Sequence, residues 1–154
     1  MSAEQVTDKI KRYKAYFGKE GGVTLSGGEV LMQPAFATQL LKMCKQEGIH
    51  TAIDTSGTAP IEYAQQVLEF TDLVICDVKF TSEKDYKNFC GGSLERTLEF
   101  LQLCENPLQN VQFSFIIYTV EEWVSKIPYS DKTNHAINYY YIKGDKQHDY
   151  YSSY

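Results

Sequence analysis

The sequence predicts an α/β protein made of parallel β/α units, and three observations carry that reading. A strand, loop and helix pattern occurs three times with connections of only a few residues. The third strand, Asp72 to Val78, is apolar almost without a break up to Asp77, as in a parallel strand covered on both faces. The polar residues that stand out along the strands all fall at their carboxyl ends, where open and barrel-shaped parallel sheets alike bind their ligands.

A helix is expected from about Ala3 to Phe17, because Val6, Ile10, Tyr13 and Phe17 recur at three- and four-residue intervals and Gly18 offers a stop. Next comes Gly21-Gly22-Val23-Thr24-Leu25-Ser26-Gly27-Gly28-Glu29, a short β-type run that empties into paired glycines and a carboxylate. Glycines there can take positive φ and admit another molecule close to the backbone, while Glu29 sets a negative charge at the mouth. An ordinary strand-to-helix turn with an exposed Glu is the competing reading. Pro34 then occupies a first helical position, and Phe36, Ala37, Leu40, Leu41 and Cys44 form one apolar stripe ending before Gly48.

Ile49 to Asp54 reads as the second strand, Thr55-Ser56-Gly57 as its loop, and Pro60 as the start of a helix with Ile61, Ala64 and Leu68 on one face. The third strand follows, then a helix over Leu94 to Cys104 and a candidate strand within Asn110 to Val120. Ser26 to Glu29, Asp54 with Thr55, and Asp77 with Lys79 thus meet at one sheet edge. Carboxylates crowded there need a cation or a ligand's ammonium group to offset their repulsion. The alternatives left open are that Asp54 caps a turn and that Asp77 and Lys79 pair or face solvent.

A length of 154 residues suits one domain or a large piece of one. With 20 acidic and 15 basic residues the formal charge is -5, which argues against a broad nucleic-acid or anionic-membrane surface. No apolar run reaches transmembrane length and the charged N-terminus lacks a signal-peptide core, so a cytoplasmic location is the default expectation. Cys44, Cys76, Cys90 and Cys104 lie 32, 14 and 14 residues apart, a spacing that matches no metal or redox motif. Cys44, Cys76 and Cys104 are expected as buried free thiols. His50, His135 and His148 are too scattered for a metal assignment, and Glu121-Glu122-Trp123 reads as solvated.

GGVTLSGGE, KQEGIHTAIDTSG and TDLVICDVKF, with RTLEF continuing them, resemble the activating enzymes of glycyl radical enzymes in the radical S-adenosylmethionine superfamily, most of all those serving pyruvate formate-lyase. The match runs from about Val6 to Cys104. It implies a partial TIM-like β/α barrel that binds S-adenosylmethionine beside a 4Fe–4S cluster. There a 5′-deoxyadenosyl radical is generated and removes a hydrogen from a glycine of the partner. Carried onto this chain, Ser26, Gly27, Gly28 and Glu29 would meet the methionine ammonium, and Lys79 the carboxylate. Asp54, Thr55, Asp77 and the backbone at Ile75 would hold a monovalent cation, Asp54 also lying against the cofactor. The implied partners are a glycyl radical enzyme such as pyruvate formate-lyase and a flavodoxin-type reductant.

Two departures qualify the resemblance. The family's cluster-binding CxxxCxxC loop, which would precede the first helix, is absent from these residues, and the four cysteines present cannot replace it. The expectation is therefore a truncated core domain over residues 1–120, inactive alone and inclined to associate through uncovered sheet edges, or else a non-catalytic S-adenosylmethionine- or partner-binding remnant. A β/α domain for some other nucleotide ranks third. After Cys104 the family's Val-Pro-Gly turn and ligand-contacting histidine are missing, and eight of the twelve tyrosines lie from Tyr118 onward. Base stacking by that aromatic segment is a minor reading. Residues 121–154 are instead expected to form a non-homologous tail with little fixed structure.

Overall fold

The computed structural model describes residues 1–19, 21–106, 112–117 and 138–139. Helix α1 spans Ala3–Lys11 and begins on a capping box, in which Ser2 Oγ accepts from the Gln5 amide and Gln5 Oε1 accepts from the Ser2 amide. The predicted single helix to Phe17 breaks here. Arg12 and Tyr13 close i→i−3 hydrogen bonds, and a separate turn, α2, covers Lys14–Phe17. The break swings Tyr13 out to 60% exposure while Phe17 turns back onto Val23, Leu40, Cys44 and Ile49, so tertiary packing overrides the continuous stripe.

Strand β1 is Gly22–Leu25, followed by the glycine loop, a 3-10 turn at Val30–Met32 and helix α3 over Pro34–Gln46. Strand β2 is His50–Thr55, helix α4 Ile61–Leu68 and strand β3 Leu73–Val78. A short turn, α5, at Glu83–Asp85 runs into a π-helical turn at Tyr86–Cys90, and helix α6 spans Leu94–Glu105. Strands β4, Gln112–Ile117, and β5, Asn138–Tyr139, complete a parallel sheet in the order β1-β2-β3-β4-β5. Of the segment expected as an irregular tail, only Asn138–Tyr139 is described, as a strand paired with Ile116 and Ile117. The Glu121-Glu122-Trp123 cluster, His135 and His148 lie outside the described residues.

Strands neighbouring in both sequence and space, joined by crossovers of one hand, place their helices on the same face. That arrangement is seen here. Ile53, Val74, Cys76 and Val78 form one core with Ala37 and Leu41 of α3, Ala64, Val67 and Leu68 of α4, and Phe100, Leu101 and Cys104 of α6. Each fully buried large side chain in this layer contributes about 1.5–3 kcal/mol, so the helix side dominates cohesion. The described residues cover the opposite face less, although Ala52 is buried there. Along β3 the residues alternate, Val74, Cys76 and Val78 being buried and Leu73, Ile75 and Asp77 only half-buried. This corrects the expectation that both faces of β3 are covered, because the described helices α3, α4 and α6 pack on the Val74, Cys76 and Val78 side. The architecture is an unclosed part of a TIM-like β/α barrel, its open face corresponding to a barrel interior.

Candidate functional site at the strand ends

The parallel register brings the carboxyl ends of β1, β2 and β3 to one edge. Leu25 sits opposite Ile53, Asp54 opposite Ile75 and Thr55 opposite Cys76. Partnered residues share a face, so Asp54, Ile75 and Asp77 lie on the open side, whereas Thr55 faces the helices and is buried.

The glycine loop rises from β1. Gly27 has φ +134°, a conformation that L side chains rarely adopt. Gly28 lacks that backbone reason, and a Cβ built on either glycine meets no atom within 4 Å. Glycine at position 28 is thus demanded by neither conformation nor crowding within the chain, and the loop backbone is open to a second molecule. A pocket of about 110 Å³ lies between this loop and the start of α3, lined by Ser26, Gly27, Gly28, Gln33, Phe36 and Ala37 among others. Asp54, Asp77 and Lys79 do not line it.

Glu29 turns inward. Its Oε1 accepts from the Leu31 amide at 3.1 Å and from Thr55 Oγ1 at 2.5 Å, and its Oε2 accepts from the Ser56 amide at 2.9 Å and Ser56 Oγ at 2.5 Å. The Gly57 amide donates to Thr55 Oγ1, Ser56 Oγ lies 3.0 Å from Thr58 Oγ1, and Thr97 Oγ1 donates to the Ser56 carbonyl.

Asp77 Oδ2 accepts from Lys79 Nζ at 2.9 Å, and the Lys79 amide donates to the buried Tyr86 hydroxyl. This ion pair is one of the alternatives open from the sequence. Burial, then the neighbouring Asp77 charge, holds the Asp54 carboxyl above its usual range against the pull of Lys79, and Glu29 adds a smaller upward push. Asp77, Lys79 and Glu29 therefore all act on Asp54, as their places at successive strand ends predict.

The sequence reading missed Ser56, Thr58, Tyr86 and Thr97, which brace the site. The run Thr55-Ser56-Gly57-Thr58 after a strand is a hydroxyl-rich loop signal for two of them; Tyr86 and Thr97 carry no such signal. Cys44, Cys76 and Cys104 are buried, and burial pushes the Cys76 and Cys104 thiols far up, which keeps them protonated and inert. Cys90 is exposed, as is His50 at the start of β2. Among the described residues no three His, Cys, Asp or Glu side chains come together to hold a metal ion, and no helix is long and apolar enough to cross a membrane.

The family model of the Radical SAM superfamily matches residues 1–122. The pyruvate formate-lyase-activating enzyme of Clostridium pasteurianum is 45% identical over 107 residues, covering 69% of this chain and 44% of that protein. The pyruvate formate-lyase 1-activating enzyme of Escherichia coli K12 is 34% identical over 122 residues, 76% of this chain and 49% of its own length. The chain thus spans a little under half of these curated relatives. A solved domain of a pyruvate-formate lyase-activating enzyme from Bacteroides vulgatus superposes with a TM-score of 0.55 at 31% identity, covering 65% of this chain and 61% of that one.

Proposed function

The chain belongs to the Radical SAM superfamily, and on that premise we propose that it serves the activation of a glycyl radical enzyme such as pyruvate formate-lyase through S-adenosylmethionine. Its own contribution is the corner that receives the amino-acid end of that molecule. The loop Ser26-Gly27-Gly28-Glu29 forms the ammonium side of that corner, and Lys79 offers a positive charge to the carboxylate. Asp54 lies against the same end, and together with Asp77 and the backbone at Thr55 and Ile75 it provides oxygen ligands for a monovalent cation, the Thr55 hydroxyl being held by Glu29. A zwitterion requires both signs of partner, and this edge has both. The observation that carries the reading is Gly28, a glycine with no conformational or steric reason of its own beside an open pocket.

S-Adenosylmethionine supplies, on one-electron cleavage, the radical that takes hydrogen from a glycine of the partner. The electron comes in this family from a 4Fe–4S cluster, itself fed by a flavodoxin-type reductant. The residues present do not fit that cluster: the 154 residues contain no CxxxCxxC motif, and three of the four cysteines are buried in the core. No reductive step is assigned to these residues by themselves. The same observation favours a second reading, that the chain only binds S-adenosylmethionine or the partner enzyme.

Titrating S-adenosylmethionine against the wild type and Lys79→Ala tests the binding corner, with at least about tenfold weakening expected from loss of a charge-assisted contact. Equal affinities would remove the assignment. Anaerobic incubation with iron, sulfide, dithionite and S-adenosylmethionine should release no 5′-deoxyadenosine, and its appearance would refute the cluster argument.

A further inference from the structure

We propose that the Glu29 carboxylate is a positioning group that clamps the β1 loop onto the β2 loop, leaving the main chain of Ser26 to Gly28 to receive the ammonium. This rests on the binding corner proposed above and divides the labour within it. An ionised carboxylate has about four acceptor sites and no donor. All four are taken: Leu31 N–H and Thr55 Oγ1 on Oε1, Ser56 N–H and Ser56 Oγ on Oε2. Three of the four donors come from or adjoin the β2 loop, 26 or 27 residues further along the chain, so the carboxylate is a cross-strut between two loops that no backbone bond joins. The strut does not end there. Thr97 Oγ1 donates to the Ser56 carbonyl as well as to Ser93, tying the β2 loop to the first turn of α6.

The partners of Glu29 are neutral, and two of them are hydroxyls that keep their acceptor sites for the Gly57 amide and for Thr58. An ammonium group seeking this carboxylate would have to displace a donor already held at 2.5–3.1 Å. The neighbouring glycines pose no such competition, since open space surrounds both. Glu29 thereby sets the height and orientation of the glycine loop relative to Asp54, and the ligand reads the loop, not the carboxylate.

Glu29→Gln separates the two roles. Its amide oxygen can keep Leu31 and Thr55, but its NH2 cannot accept from the Ser56 N–H. In ligand-free protein, hydrogen exchange at the Ser56 amide should quicken by at least about tenfold, the scale of one bond to a charged group. For binding, equilibrium dialysis would compare S-adenosylmethionine with 5′-methylthioadenosine, which lacks the amino-acid end. Glu29→Gln and Ser56→Ala should each weaken S-adenosylmethionine several-fold, the double variant little more than either, with 5′-methylthioadenosine affinity unchanged throughout. General destabilisation would weaken both ligands alike and overturn the positioning role. So would Ser56→Ala binding like the wild type while Glu29→Gln binds nothing, since Glu29 would then be the acceptor itself. If the wild type binds neither ligand, the binding corner fails, and the exchange rate at Ser56 alone decides the clamp.

Discussion

Gly27 and Gly28 are adjacent, yet alanine should act on them with opposite sign. At Gly27 the φ of +134° is one that a side chain rarely tolerates, so Gly27→Ala should cost on the order of 1–3 kcal/mol of stability. At Gly28 no positive φ intervenes and an added Cβ meets nothing within 4 Å. Gly28→Ala should instead stabilise by about 0.4–1 kcal/mol, because alanine narrows the unfolded ensemble. In a chain of this size each kcal/mol moves the melting temperature by about 2–4 °C. Thermal unfolding of the two variants beside the wild type is sufficient as an assay. The same Gly28→Ala protein should lose S-adenosylmethionine affinity by an order of magnitude or more, since its methyl group fills the open approach. A Gly28→Ala variant that is less stable than wild type, or that binds as well, would refute the argument that position 28 is kept small for a second molecule.

Three further outcomes follow from the charges and the core. The raised Asp54 carboxyl contributes stability below its unfolded value that is lost as pH rises through the folded one, so Asp54→Asn should be more stable than wild type at pH 7, with the gain vanishing in acid; melting curves against pH read this directly. Asp72 behaves in the opposite sense. Burial pushes its carboxyl up, but hydrogen bonds from Lys45 and Thr51 outweigh that and hold it below the usual range, so the stability advantage of wild type over Asp72→Asn should be present at neutral pH and close below about pH 4, as urea midpoints would show. Gly57→Ala should unfold at markedly lower urea, by about 1–3 kcal/mol or more, since φ is +68° and a Cβ would sit 2.8 Å from Phe100 Cδ1; an unchanged midpoint would refute that packing.

How far the sequence could be read depended on which interactions are local. The stripe Ala37, Leu40, Leu41 and Cys44 and the apolar runs of β2 and β3 are legible in the chain, and the strand-end places of Asp54 and Asp77 follow from them. The break at Arg12–Tyr13 does not, because it answers to Phe17 packing against Leu40 and Ile49, residues distant in the chain. Coverage of β3 is not legible for a related reason: VIC reads alike whether one or both faces are covered, and the packing of three helices on the Val74 and Cys76 side is what leaves Leu73 and Ile75 half-buried. Tyr86 and Thr97 are hidden because their roles depend on contacts between residues 7 and 41 positions apart.

The charge count at the strand ends gives the edge its chemical direction. Among the described residues, Asp77, the Lys79 ammonium and Glu29 all act on the Asp54 carboxyl. Glu29 is satisfied by four neutral donors and Asp77 by Lys79 at 2.9 Å. Among the described residues no hydrogen bond or ion pair engages the Asp54 side chain, and it is Asp54 whose carboxyl burial and like charge hold up. A half-buried carboxylate in that state is stabilised most by a cation brought from outside. A ligand's ammonium or a monovalent ion would meet that need, and an uncharged ligand would not. The proposed selectivity for a zwitterion therefore rests on Asp54 more than on Glu29, although Glu29 belongs to the more recognisable motif.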